Sequence, residues 1–274
     1  MRAAGGLAAL ALALASLVGA QGAVAQVSPG SGGAGAGATN WTLENVADGV
    51  CVSFLVTPEV AAELLEGKAA AVSASQAKHL HPAVAQLAAA EPEYASWIPA
   101  ELCLIEAPRL TAGTRVFAEP GRRLLLGWVA LAAGTEGTTM RAVQVFSPNG
   151  NLRQFASDIL IQVEDVDYSR NMESTGERER RIIKLDGARL IWDGHFGDAT
   201  SKPAPASRTM SVAGRRNTEW FLSTALDPQW ERAALGILRV EGKSRLARGL
   251  IGSPLRMVGP AFGGGSLTLD FRRR

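Results

Sequence analysis

The sequence is poor in the residues and motifs that identify most enzymes. It has only two cysteines and three histidines in 274 residues. It also contains no G-x-S-x-G nucleophile elbow, no H-E-x-x-H zinc motif, no paired C-x-x-C and no EF-hand loop. A formal net charge of only +2 argues against a global field that would draw the chain to nucleic acid. We therefore predict no nucleic-acid partner, no cofactor and no metal.

Apolar runs long enough to cross a bilayer are missing as well. The run over residues 7–18 is shorter than the roughly 20 residues that a membrane helix needs. It follows the positive charge of Arg2 and precedes Ala23-Val24-Ala25, which is a small-x-small cleavage site. We predict a signal peptide over residues 1–25, a mature chain that begins at Gln26, and no transmembrane span in that mature chain.

Export sets the compartment in which the rest of the chain has to work. A periplasmic or secreted protein is removed from cytosolic nucleotides and from reducing thiols, which counts against kinases and dehydrogenases. Cys51 and Cys103 are the only cysteines of the chain, and disulfides persist outside the cytosol. We predict that they form one structural disulfide bond.

The domain organisation follows from composition. Residues 26–40 include a Gly-rich stretch with almost nothing to bury, and we predict a flexible segment there. Residues 41–274 are predicted to form a single globular domain. The fold class is predicted as α+β, with a largely antiparallel sheet that is barrel-like or sandwich-like and short helices mainly in the N-terminal third.

Local patterns place several elements of that domain. Residues 50–56 are rich in β-branched and aromatic residues and predict a strand, after which Thr57 caps a helix that Gly67 ends. The apolar run 124–131 predicts a strand that is buried on both faces. Residues 155–163 alternate between apolar and polar positions and predict a half-buried strand.

Turn chemistry gives two further predictions. Asp186-Gly187 is a strong hairpin signal between two apolar segments, although a strict two-residue turn sets Lys184 opposite Arg189. Either the register is longer, or nearby acids offset the two like charges. Residues 170–181, rich in Glu and Arg, are predicted as an exposed loop, and Asp227-Pro228 is predicted to begin a short helix.

Asp193, His195 and Asp198 form the densest polar group beside a predicted strand. They could converge as metal ligands, or His195 could act as a base that a carboxylate orients. The simpler interpretation is a turn, because Asp-Gly and Gly-Asp are ordinary turn dipeptides.

Six tryptophans are spread along the chain, and large rings on sheet faces could line a pocket for an apolar ligand. Trp128 and Trp192 are the better candidates because each lies in or at the end of a predicted strand. We favour a non-catalytic exported module that binds an apolar small molecule or an envelope protein. The alternative is a hydrolase or metal-dependent enzyme centred on Asp193, His195 and Asp198.

Overall fold

Strand residues dominate the part of the chain that a computed structural model describes, namely residues 38–77, 82–118, 121–134, 139–201, 203, 205–250 and 255–273. The predicted signal peptide, 1–25, lies outside the described residues, and so does most of the predicted flexible segment, 26–40. The first strand begins at Ala38, three residues before the predicted start of the domain.

Fifteen strands are found in these ranges. In chain order they are β1 (Ala38–Glu44), β2 (Asp48–Val56), β3 (Ile98–Ala107), β4 (Arg109–Ala112), β5 (Arg115–Phe117), β6 (Leu124–Ala132), β7 (Met140–Phe146), β8 (Asp167–Met172), β9 (Arg178–Leu185), β10 (Ala188–Ser201), β11 (Ala206–Ala213), β12 (Glu219–Asp227), β13 (Trp230–Gly242), β14 (Leu255–Gly263) and β15 (Ser266–Arg273).

The helices of the described residues are short and spread along the chain. They are α1 (Pro58–Leu65), α2 (Pro82–Ala90), α3 (Gly150–Asp158) and α4 (Arg245–Leu250), with 3₁₀ turns at Pro92–Ser96 and Arg215–Asn217. The prediction that the helices lie mainly in the N-terminal third is therefore wrong, because α3 and α4 lie well beyond it. The described residues form a β-rich fold with few short helices, which is not specifically an α+β fold. None of the helices described is both long and apolar enough to cross a membrane.

All fifteen strands join one sheet in the order β5-β4-β1-β15-β12-β11-β7-β6-β3-β2-β14-β13-β10-β9-β8. Neighbours are antiparallel except for β11 and β7, which are parallel. The predicted antiparallel character is confirmed. The two ends, β5 and β8, do not pair with each other among the described residues, so the sheet does not close into a barrel, which was one of the two predicted forms.

Two separate cores lie on the two faces of the central strands. On β3, Leu102 and Leu104 belong to the first core, whereas Cys103 and Ile105 belong to the second. The first core also takes residues from β9, β10 and β13, and the second takes residues from β1, β12 and β15. Strands β9, β10 and β13 thus cover one face of the central strands, and β1, β12 and β15 cover the other face. β3 and β6 are therefore buried on both sides, although their pairing is antiparallel.

Several local predictions are confirmed by specific contacts. Residues 50–56 lie in β2, and 124–131 lie in β6. Thr57 caps α1 by accepting a hydrogen bond from the backbone N–H of Val60. The Asp186-Gly187 hairpin has the strict two-residue register, with Lys184 opposite Arg189, and the Glu241 carboxylate, 3.1 Å from Arg189, offsets that like-charge pair.

Two further local predictions assign the wrong type of element. Residues 150–158 form α3 in place of the first part of the predicted strand 155–163, because Asn149 accepts a hydrogen bond from the Leu152 N–H and so caps a helix. The helix predicted from Asp227-Pro228 to Gly236 is instead the turn between β12 and β13 and the first half of β13. Pairing of β13 with β10 and β14 over its whole length overrides the local helix-start signal there.

Candidate functional site

The three polar residues that the sequence singles out lie on strand β10, not in a turn. The carboxylate of Asp193 is held from both sides, 2.5 Å from Arg180 Nε on β9 and 2.5 Å from Arg239 Nη2 on β13. His195 is exposed on the same face, and Asp198 follows a register shift that begins after Phe196. The three side chains therefore do not form one site, and Asp193 is already neutralised by two arginines.

The two tryptophans proposed as pocket residues lie in different cores. Trp192 is fully buried in the first core and Trp128 is nearly buried in the second. The void beside Trp128 is apolar and has a volume of about 10 Å³, which is room for about one water molecule. The two rings thus do not line a common pocket.

Cys51 and Cys103 are directly opposite each other on β2 and β3, and their sulfurs are bonded. Their Cα atoms are 4.1 Å apart. Among the described residues, these two sulfurs and the Glu101 carboxylate are the set of possible metal ligands that lie within 4.8 Å of one another. A disulfide offers no thiolate to a metal, so this group is structural as it stands.

The strongest concentration of chemistry is a group of six residues at one end of the first core. We call it the arginine–carboxylate cluster. Its members come from β2, β3, β8 and β9 and are Asp48, Glu106, Tyr168, Arg170, Glu179 and Arg181. On each strand these side chains follow the same alternation as the first core, so they extend its inward face with charged groups.

Arg181 is the centre of the cluster and is fully buried. Its Nε donates to Glu179, and its Nη2 donates to Asp48 Oδ1 at 2.6 Å. Although burial alone lowers the pKa of Arg181, the neighbouring groups, with Glu179 and Asp48 among them, outweigh burial and raise that pKa above its ordinary value. The side chain is therefore a permanent buried cation.

Arg170 ties the same two carboxylates together from the side of β8. Its Nη2 donates to Asp48 Oδ2 at 2.5 Å, and its Nε donates to Glu179 Oε2 at 2.7 Å. Asp48 and Glu179 thus each bridge two arginines. Each guanidinium thus donates one charge-assisted hydrogen bond to each of the two carboxylates, and this fixes its orientation.

Tyr168 and Glu106 form the part of the cluster that can move a proton. The Tyr168 hydroxyl donates to Glu106 Oε1 at 2.6 Å. Burial, and to a smaller extent the charge of Glu106, raises the pKa of Tyr168 far above its ordinary value. Tyr168 is partly exposed and therefore borders on solvent.

Arg232 on β13 lies at the rim of this cluster. Its guanidinium stacks 3.9 Å from the centre of the Phe196 ring, and its Nη1 donates to the Gly176 carbonyl at 3.1 Å. Burial lowers the pKa of Arg232, while the charges of Asp48 and Glu179 act in the opposite direction. Those electrostatic effects show that Arg232 lies within range of the cluster.

Three buried N–H groups in this region have no hydrogen-bond acceptor. They are Arg181 Nη1, Arg232 Nε and Trp192 Nε1. The Glu106 carboxylate lies 3.8 Å from Arg181 Nη1, which is too far for a hydrogen bond. Buried donors without acceptors are costly, and the deficit here is entirely one of acceptors.

Sequence reasoning missed this cluster because it assigned residues 170–181 to an exposed loop. Most of that segment is the hairpin of β8 and β9. The signal was present in the alternation, since Glu179 and Arg181 share one strand face with Ile183 and Leu185. Charged residues in register with core positions mark an inward-facing polar site.

No family model and no curated protein matches this chain. Several solved structures align with most of its length, among them the following two. The enduracididine biosynthesis enzyme MppR complexed with pyruvate is 11% identical, with 87% of this chain and 89% of that chain covered and a TM-score of 0.47. An acetoacetate decarboxylase-like enzyme from Sphingomonas wittichii RW1 is 9% identical, with 93% and 99% covered and a TM-score of 0.46.

Both of these structures are of enzymes, and the prediction of a non-catalytic module that binds an apolar molecule or an envelope protein is contradicted by that finding. At this level of similarity, neither protein assigns an activity, a substrate or a site residue to this chain. The function has to be argued from the arginine–carboxylate cluster itself.

Proposed function

We propose that this protein is an enzyme that binds a small anionic organic molecule at the arginine–carboxylate cluster and transfers a proton to or from it through Tyr168 and Glu106. The observation that carries the proposal is the unpaired Nη1 of Arg181, a donor on a fully buried cation. A carboxylate or phosphate oxygen is the acceptor that a guanidinium pairs with best.

Charge balance supports an anion as the ligand. The three carboxylates of the cluster, Asp48, Glu106 and Glu179, are already matched by three cations. These are Arg170, Arg181 and Arg123, whose Nη1 lies 3.6 Å from Glu106 Oε2. Arg232 has no ion pair with a described residue and stacks on Phe196 instead, so it adds an uncompensated positive charge at the rim. An incoming anion would meet this charge and the free Arg232 Nε.

The proton-transfer step rests on the Tyr168–Glu106 pair. A short hydrogen bond between a phenol and a carboxylate gives a donor and an acceptor at one place, which general acid–base catalysis requires. Tyr168 is partly exposed, whereas Glu106 is buried, so we assign the contact with the bound molecule to Tyr168.

Binding is tested by calorimetric titration of the full chain with acetate, 2-oxo and 3-oxo monocarboxylates and inorganic phosphate. At least one carboxylate is expected to bind. Arg232→Met should weaken it about tenfold or more, because a hydrogen bond to a charged group contributes about 1.5–3 kcal/mol. Arg239→Met is the matched control, since Arg239 pairs with Asp193 on the opposite face of the sheet.

Catalysis is tested by proton NMR in D₂O, which detects exchange at the carbon next to the carbonyl of the bound oxo acid. Tyr168→Phe should keep the affinity within about threefold and abolish the exchange, because it removes only the hydroxyl. Absence of binding by any of the anions, or equal losses in Arg232→Met and Arg239→Met, would refute the proposal.

A further inference from the structure

A second surface is built on the outer side of the same strands, where the sequence-predicted residues Asp193 and His195 lie. Four consecutive outward positions on each of β9, β10 and β13 form a rectangle by their pairing register. We call it the outer basic face. Its residues are Arg178, Arg180, Ile182, Lys184, Arg189, Ile191, Asp193, His195, Leu235, Ile237, Arg239 and Glu241.

The outer basic face combines excess positive charge with exposed aliphatic side chains. Its five cations and two carboxylates give a net charge of +3 with His195 neutral, larger than the +2 of the entire chain. Leu235 is 44% exposed and Ile237 is 53% exposed, side by side along the middle of β13. Both are among the most exposed large apolar residues described.

Charge and area decide which occupant fits this face. Two copies of the chain would bring like charges together, so self-association through it is disfavoured. Three strands about 4.8 Å apart and seven residues long cover roughly 15 Å by 23 Å, or about 350 Å². A stable folded partner needs about 800 Å² on each side. Binding to an extended anionic surface does not require a minimum contact area of this size.

We propose that the outer basic face docks the protein onto an anionic lipid bilayer. Leu235 and Ile237 enter the headgroup region, and the surrounding arginines and Lys184 contact lipid phosphates, as at other basic amphipathic surfaces. Asp193 keeps Arg180 and Arg239 extended along the face by holding both guanidinium groups. In this arrangement Asp193 is a positioning residue, and His195 is part of the docking surface.

The test is co-sedimentation of the full chain with phosphatidylcholine vesicles that contain or lack phosphatidylglycerol. Each cation near an anionic bilayer strengthens binding about fivefold, so a net charge of +3 predicts a preference of about a hundredfold for the anionic vesicles. About 1 M salt, at which the Debye length is about 3 Å, should abolish that preference. This comparison needs no variant and therefore does not depend on refolding.

Variants then locate the contact. Arg178→Gln with Lys184→Gln removes two cations without a described ion pair and should weaken binding about 25-fold. Removing the exposed Arg122 and Arg273 in the same way, outside the face, is the matched control and should have little effect. Ile237→Ser should weaken binding, whereas Val116→Ser, with 52% exposure on β5, should not.

All variants keep residues 1–37, so any contribution of the apolar N-terminal run is common to them. Equal binding to neutral and anionic vesicles would overturn the proposal. So would binding that survives about 1 M salt, or equal losses in the face variants and in their matched controls.

Discussion

Replacing Arg181 by Met should destabilise the protein strongly, because Arg181 is a fully buried cation between two nearly buried carboxylates. Breaking a buried ion pair by removing one partner costs about 3–5 kcal/mol, since the other charge is left uncompensated. Arg170 still donates to Asp48 and Glu179 after the change. We therefore expect the lower end, about 3 kcal/mol.

The assay is thermal unfolding followed by calorimetry. For a domain of this size, 1 kcal/mol shifts the melting temperature by about 2–4 °C, so Arg181→Met should lower it by about 6–12 °C. Arg180→Met is the control on the adjacent position, where the side chain is exposed and Asp193 keeps Arg239 as its partner. It should leave the melting temperature nearly unchanged, because an exposed ion pair contributes little to stability. Equal shifts in the two variants would show that the cluster is not a buried charge network.

Three further predictions address other parts of the fold. The Cys51→Ala/Cys103→Ala variant should lose up to about 4 kcal/mol of stability, because the bond closes a loop of 52 residues, and mass spectrometry of the unreduced protein should find no free thiol. Gly236→Ala should lower the free energy of unfolding in urea by about 1–3 kcal/mol, since the new Cβ would lie 2.8 Å from the Asp193 carbonyl and closer still to the Trp192 indole. Gly197→Ala is the control and should be close to neutral, because its Cβ would lie 3.7 Å from its nearest neighbour. Because the pKa of Tyr168 is raised in the folded protein, the stabilising contribution of Tyr168 is complete below about pH 10 and is lost only as the pH rises through the folded pKa. Tyr168→Phe should therefore leave the absorbance titration of the native protein at 295 nm unchanged up to about pH 12. It should reduce only the titration of the unfolded chain.

The elements that were predicted correctly are those in which no second local pattern and no tertiary pairing opposes the local sequence signal. Thr57 with Pro58 begins α1, and Asp186-Gly187 sets a two-residue hairpin. The run in β6 is apolar on both faces because each face packs against a different core. In these cases the local pattern and the tertiary environment agree.

The wrong predictions are those in which tertiary pairing or a cap outweighed a visible pattern. Asp227-Pro228 is a valid helix start, but the residues after it pair with β10 and β14 over a thirteen-residue strand. The alternation over 155–163 is real, yet the Asn149 cap starts a helix before it. A single sequence does not indicate which of two such signals prevails.

The arginine–carboxylate cluster was hidden for a different reason. Asp48 and Arg181 are 133 residues apart in the chain, and they meet only because the sheet order places β2 and β9 on opposite sides of the first core. The sequence shows only the local part of this arrangement, because Glu179 and Arg181 alternate on the same strand face as Ile183 and Leu185. Residues that break the apolar pattern at inward positions cost stability unless function or pairing compensates. Ion pairs with arginines compensate the buried charges of Asp48 and Glu179. Arg181 Nη1 and Arg232 Nε still have no hydrogen-bond acceptor, and the proposed anion would accept hydrogen bonds from these two groups.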